Sequence, residues 1–81
     1  MHNKSLTTKS LNCLPIGKTA IVSHLDATGK DRRRFLDLGL VNGTLIEAVQ
    51  KSPSGDPIAY FIKGAMIALR KEDAEKIFIN M

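Results

Sequence analysis

The sequence predicts an all-β domain with small helical insertions, folded as a small β-barrel. Three observations predict it. Short β-branched or alternating stretches recur along the chain, as "TAIVSHL", "TLIEAVQK", "IAYFI", "AMIAL" and "IFIN". Between them stand turn-forming clusters, and only one longer segment has the period of a helix. With 81 residues and no internal repeat, the chain is sized for a single core, and closing such strands into a barrel removes exposed sheet edges.

The opening "MHNKSLTTKSLNC", residues 1–13, is polar and without acids, and is expected to be a tail that is partly ordered at most. The domain is expected over 14–81. Pro15 and Gly17 form a turn, and residues 19–25 make the first strand. The period then changes. Thr28 can cap a helix, with Asp31 three residues on. Phe35 and Leu38 share one face at i, i+3, and Leu36 and Leu40 share another at i, i+4. Leu36 and Leu38 are expected to be buried, and Gly39 is placed to adopt the left-handed conformation that ends a helix.

"VNGT" is a tight turn into the strand 44–51, and "SPSGDP" at 52–57 is a loop. In "IAYFIKGAMIALR", a two-residue turn at Lys63-Gly64 sets Ile62 opposite Ala65, Phe61 opposite Met66, Tyr60 opposite Ile67 and Ile58 opposite Leu69. One face then carries Ile58, Tyr60, Ile62, Ala65, Ile67 and Leu69, and the other carries Ala59, Phe61, Met66 and Ala68. A helical turn in "KEDAEK" leads to the last strand, "IFIN".

Composition narrows function. The formal charge is +4, but Lys4 and Lys9 belong to the opening stretch. From residue 11 onward, ten basic residues face eight acidic ones, an excess of two that is weak for a nucleic-acid module. Cys13 is the only cysteine, so no internal disulfide forms and a reducing cytoplasm is the expected setting. No apolar run is long enough to cross a bilayer.

Catalytic chemistry finds little support. "GKT" at residues 17–19 ends like a phosphate loop, but residue 12 is Asn where that motif needs glycine, and a strand follows where it needs a helix. Ser23 and His24 are strand neighbours that point to opposite faces, so the one cannot activate the other. No paired-carboxylate or nucleophile-elbow spacing occurs, and neither an enzyme nor a bound cofactor is expected. For a metal, the candidates are His24, Asp26, Cys13 and His2, without the spacing of a closed site.

The run Arg32-Arg33-Arg34 turns through about 200° of a helix, so it cannot serve one ligand. The stem of Arg32 is expected to cover the core edge and Arg33 to pair with Asp37, one turn on. Arg34 and Arg70 are expected to remain available for an acidic partner. On the outer hairpin face, Phe61 and Met66 stand where a solvated strand carries polar groups, and Phe78 is out of phase with Ile77 and Ile79. Either they form an adaptable contact surface, or the opening stretch folds over them through Leu6 and Leu11.

Taken in order, "RRRFLDLGLVNGT", "GDPI" and "ALRKEDAEKI" give the sequence a resemblance to the FeoA family, the ferrous iron transport protein A of bacteria. The resemblance runs from about Leu14 to Ile79. It rests on Arg33, Leu36, Leu38, Gly39, Leu40, Gly43 and Thr44, then on Gly55 to Ile58, and on Ala68, Leu69 and Arg70. Two departures stand out: Asn42-Gly43 replaces the family's usual Pro-Gly turn, and Phe61 replaces residues that are often charged. The resemblance implies an SH3-like barrel with a helix after the first strand. It also implies a cytoplasmic accessory protein that binds the cytoplasmic, GTP-binding part of the ferrous iron permease FeoB, and so meets the membrane through its partner. Phe61, Met66, Arg34 and Arg70 are the expected contact residues, and a weak homo-oligomer could form through the same hairpin face. The alternatives are a small RNA-binding barrel that uses the basic helix, and a metal-sensing regulatory domain.

Overall fold

The structure is a computed structural model that describes residues 8–81. Six strands form one antiparallel sheet: β1 (Thr8–Ser10), β2 (Thr19–Leu25), β3 (Leu45–Lys51), β4 (Ile58–Ile62), β5 (Ala65–Leu69) and β6 (Ile77–Asn80). Their order across the sheet is β1-β6-β2-β3-β4-β5. Helix α1 (Gly29–Asp37) follows β2, and the single turn α2 (Lys71–Ala74) precedes β6. This mostly-β architecture with two small helices is the one expected. In hydrogen-bonding terms β1 and β5 are its two edges.

Period-2 alternation puts one face of each long strand into a common core. Ala20 and Val22 of β2, Ile46 and Ala48 of β3, Tyr60 and Ile62 of β4, and Ile77 and Ile79 of β6 are all buried there. Register shifts between Val22 and His24 and between Ala48 and Gln50 mark bulges in the two strands at the centre of the sheet. Bulges of this kind raise local twist, and so help a sheet curl around its core. The β4–β5 hairpin has the expected register, including Phe61 opposite Met66, with Lys63 at φ 49° and Gly64 at φ 82° in its turn.

Helix α1 closes one side of the core with Phe35, which is fully buried, and Leu40 beyond its end is fully buried as well. Leu38 packs partly against that core. Leu36 does not: it is 39% exposed, and Phe35 holds the inward position instead. Thr28 stands at the N-cap with extended backbone, but its side chain makes no capping hydrogen bond. Gly39 ends the helix at φ +94°, and a methyl group there would sit 3.0 Å from Lys63 Cδ. Its place thus depends on both backbone conformation and close approach.

The opening segment joins the sheet. Residues 8–10 pair with β6, Lys9 opposite Ile79, and a 3-10 turn over Leu11–Cys13 buries Leu11 completely. Residues 8–13 are therefore the ordered part of the 1–13 stretch, which was expected to be partly ordered at most. The polar character of "TKSLNC", residues 8–13, suits an edge strand whose outer side faces water, with one leucine as anchor. The proposed cover over Phe61 is not supplied by Leu11, which enters the core; Leu6 lies outside the described residues.

Candidate interaction surface

The expected arginine contacts divide. Arg34 Nη2 donates to Asp73 Oδ1 at 3.0 Å and Nη1 to Asp73 Oδ2 at 3.3 Å, a two-pronged clamp between α1 and α2. Asp31 Oδ1 lies 3.6 Å from the same Nη2, and the guanidinium carbon sits 4.9 Å from the Phe35 ring centroid. Asp31 in turn accepts a 2.9 Å bond from Lys76 Nζ. That bond, with smaller help from Arg34, holds the Asp31 carboxyl below the ordinary carboxylate range and raises Lys76. Asp73 likewise raises the Arg34 guanidinium.

Arg34 is thus not free for a partner: it ties the two helices together. Arg33 does not behave as expected, whereas Arg32 lies beside Leu36 and Leu40. Both are exposed, and among the described residues the Arg33–Asp37 pair does not form. Arg70 is more open, 64% exposed at its side chain with Asp56 Oδ2 at 3.9 Å.

The metal candidates do not converge. Among the described residues no three His, Cys, Asp or Glu groups come together in a metal-binding arrangement. Against the expectation that Ser23 and His24 point apart, His24 faces Ser23 Oγ at 3.1 Å through Nδ1, because the register shift between Val22 and His24 breaks the alternation there; the His24 ring packs on Phe78 with centroids 4.9 Å apart. Cys13 is exposed on the 3-10 turn, with Ser10 Oγ at 3.7 Å. His2 is outside the described residues.

What the fold does assemble is apolar. The outward positions of four adjacent strands place Ile21 on β2, Leu45 on β3, Phe61 on β4 and Met66 on β5 in exposed positions. Ile21 pairs with Leu45, and Phe61 with Met66. Leu45 and Met66 are each 58% exposed. A shallow groove of about 580 Å³ lies at Leu45 and Phe61, lined also by Val41, Glu47 and Lys63, with Ile21 and Met66 outside it. The turn at its end is well braced: Asn42 Nδ2 donates to the Ser23 carbonyl at 2.9 Å, and Gly43 N–H to the Val22 carbonyl at 2.8 Å. Phe78 does not belong to the strip, because His24 covers it.

The sequence pointed to Phe61 and Met66 but not to Ile21, Val41 and Leu45. For Leu45 the signal was present, since strand alternation with Ile46 inward leaves Leu45 outward. A curled antiparallel sheet, two helices at its ends and an apolar outer strip together describe a small barrel of the SH3-like class, with a surface suited to binding another protein.

Comparison with known proteins makes this specific. The family model for the FeoA domain matches residues 9–81, and the chain belongs to the FeoA family. A FeoA-like protein from Clostridium acetobutylicum is similar in structure, with TM-score 0.82 and 36% identity over 89% of this chain and 84% of that one. FeoA from Stenotrophomonas maltophilia, solved with zinc and described as a prokaryotic SH3 domain protein, gives TM-score 0.78 and 28% identity over 86% and 87%. A curated relative from Porphyromonas gingivalis, an Fe(2+) transport protein A/Fe(2+) transporter FeoB fusion protein, is 37% identical over 71 residues. That match takes in 88% of this chain but spans only 8% of the fusion protein.

Proposed function

We propose that this protein is a non-catalytic accessory protein of ferrous iron uptake, which binds the cytoplasmic part of a FeoB permease and supports or regulates it. The observation that carries this reading is the relative in which a transport protein A segment and a FeoB transporter share one chain. Fusion keeps two partners at high effective concentration, which serves them only if they work together. The apolar strip suits the role: an exposed aromatic beside a flexible thioether supplies contact area that can adapt to a partner. Among the described residues no helix is long and apolar enough to cross a membrane, in keeping with membrane contact made through the partner.

The contact residues in this reading are Phe61 and Met66, extended by Leu45 and Val41, with Arg70 at a distance as a supporting cation. Arg34 acts indirectly, by holding the helices. Self-association through the same strip would compete with the partner.

Calorimetric titration against the cytoplasmic domain of the cognate FeoB, with and without GTP and at low and moderate salt, tests the proposal. Saturable binding that persists at moderate salt is expected, because apolar contact is screened little by ions. Absence of binding in every condition would refute direct docking on that domain.

A further inference from the structure

The two hydrogen-bonding edges of the sheet are guarded unequally. β1 is three residues long and carries Lys9, the kind of short, charged edge that discourages pairing with another chain. β5, at the opposite edge, is five residues long and reads "AMIAL", with neither a charge nor a proline. Ala65, Met66 and Ala68 are exposed along it, Ile67 is half-buried and Leu69 is buried.

The hairpin fixes which backbone groups of β5 lie open. Its two-residue turn makes Ile62 and Ala65 a hydrogen-bonded pair, and such pairs alternate along an antiparallel ladder. Tyr60 with Ile67 and Ile58 with Leu69 are then hydrogen-bonded as well, whereas Met66 and Ala68 turn their N–H and C=O groups away from β4. Among the described residues no other element supplies a backbone hydrogen bond to these outward groups. Such a row is a template for one more strand.

The strand that fits is β5 itself. In an antiparallel pairing about a two-fold axis at Ile67, Met66 of each copy faces Ala68 of the other. Each of these two pairs exchanges both N–H···O bonds, so the four outward groups of each copy are all satisfied. On the outer face a large side chain meets a small one, and on the axis Ile67 meets its counterpart. No charge within Ala65–Leu69 opposes the approach. Beyond the strand, Arg70 comes opposite Gly64, and Lys63 comes opposite Lys71. The stem of Lys63 leans over Gly39 and the groove beside Phe61, not along the edge, so its ammonium is held off this approach.

We propose that β5 is a self-pairing edge, through which two copies of the chain join their sheets antiparallel about a two-fold axis at Ile67. The contact is one strand long, about 17 Å, so the dimer is weak and reversible. It is made by the backbone of the edge, leaves Leu45 and Phe61 open, and brings the two apolar strips to the same side of the joined sheet. It does not depend on which protein the strip binds.

Sedimentation velocity of the full chain from about 10 μM to about 1 mM, with backbone amide hydrogen exchange at both ends of that range, tests the pairing. A monomer–dimer equilibrium is expected. The Met66 and Ala68 amides should exchange about tenfold more slowly or better at the high concentration, while Ile67, already bonded to β4, changes little. Ala68→Lys places a charge on the exposed edge and should abolish the dimer without changing the melting curve of the monomer. Ala68→Pro, which removes only an outward N–H, does the same if the lysine variant fails to fold. Phe61→Glu charges the strip but not the edge, and should dimerise as the wild type does. The absence of a dimer up to about 1 mM, or a dimer that survives both Ala68 substitutions, would overturn the proposal. So would protection of Met66 and Ala68 that is independent of concentration, which would mean that a segment of the same chain covers the edge, and so would loss of the dimer in folded Phe61→Glu, which would place self-association on the strip.

Discussion

Arg34 shows how a residue's role depends on partners that lie far away in sequence. In the run of three arginines it has no distinguishing mark, yet it alone reaches Asp73, 39 positions later, with Asp31 and the Phe35 ring beside it. Exposed ion pairs contribute little, so Arg34→Ala is expected to cost about 1 kcal/mol or less in urea unfolding. The Asp31–Lys76 pair has a definite pH signature. The Asp31 carboxyl is lowered in the folded state, so its contribution is present above its unfolded value near about pH 4 and fades as pH falls through the lower folded one. Lys76 is raised, so its contribution persists below its ordinary value and fades only as pH rises past it. Asp31→Asn should therefore lower the melting temperature at neutral pH and progressively less as pH falls below the ordinary carboxylate range; an equal loss throughout would show that the pair is not its cause. Leu36 lacks the burial expected of it, while Phe35, on the face it shares with Leu38, is fully buried. Phe35→Ala is expected to cost about 3 to 5 kcal/mol, while Leu36→Ala should cost well under about 2, and comparison of their unfolding midpoints decides it.

At the scale of elements, the β4–β5 hairpin was legible in full. Lys63-Gly64 fixes its register, and alternation then assigns every side chain to a face, a purely local inference. Helix α1 was legible in extent, because Gly39 stops it, but not in rotation. Phe35 and Leu36 are adjacent apolar residues, and which one turns inward depends on packing against the sheet. The strand pairing of the opening segment was not legible, although Leu11 stood out there as a residue that could fold onto the domain. β1 is three residues long and polar, and its place comes from the free edge of β6, some seventy positions away in sequence. Leu11 is the anchor of that segment, fully buried in the core. Leu11→Ala is expected to lower stability by about 2 to 5 kcal/mol, as for other buried leucines. An unchanged denaturation midpoint would mean that the segment is dispensable.

Across the whole molecule, the charged and apolar surfaces have separate tasks. Arg34, Asp31, Asp73 and Lys76 pair with one another and tie α1 to α2 and to the turn before β6, while Lys30, Arg32 and Arg33 have no ion-pair partner among the described residues. The strip of apolar residues exposed across β2 to β5 forms the other distinctive surface, the one we assign to a partner. Half of that strip, Phe61 with Met66, could be read from the hairpin alone. Ile21 and Val41 required the order of strands and the placement of the turn after α1, which no local pattern encodes. The open edge of β5 required the strand order as well, because the hairpin shows which backbone groups point outward but not what lies beside them. The central claim is that the strip binds FeoB, and the most direct test compares the affinity of the wild-type protein and of Phe61→Glu for the FeoB cytoplasmic domain, alongside their melting curves. A charge at this exposed outer position should leave melting nearly unchanged and weaken binding about tenfold or more. Equal affinities with equal melting would contradict the account and place the contact elsewhere on the molecule.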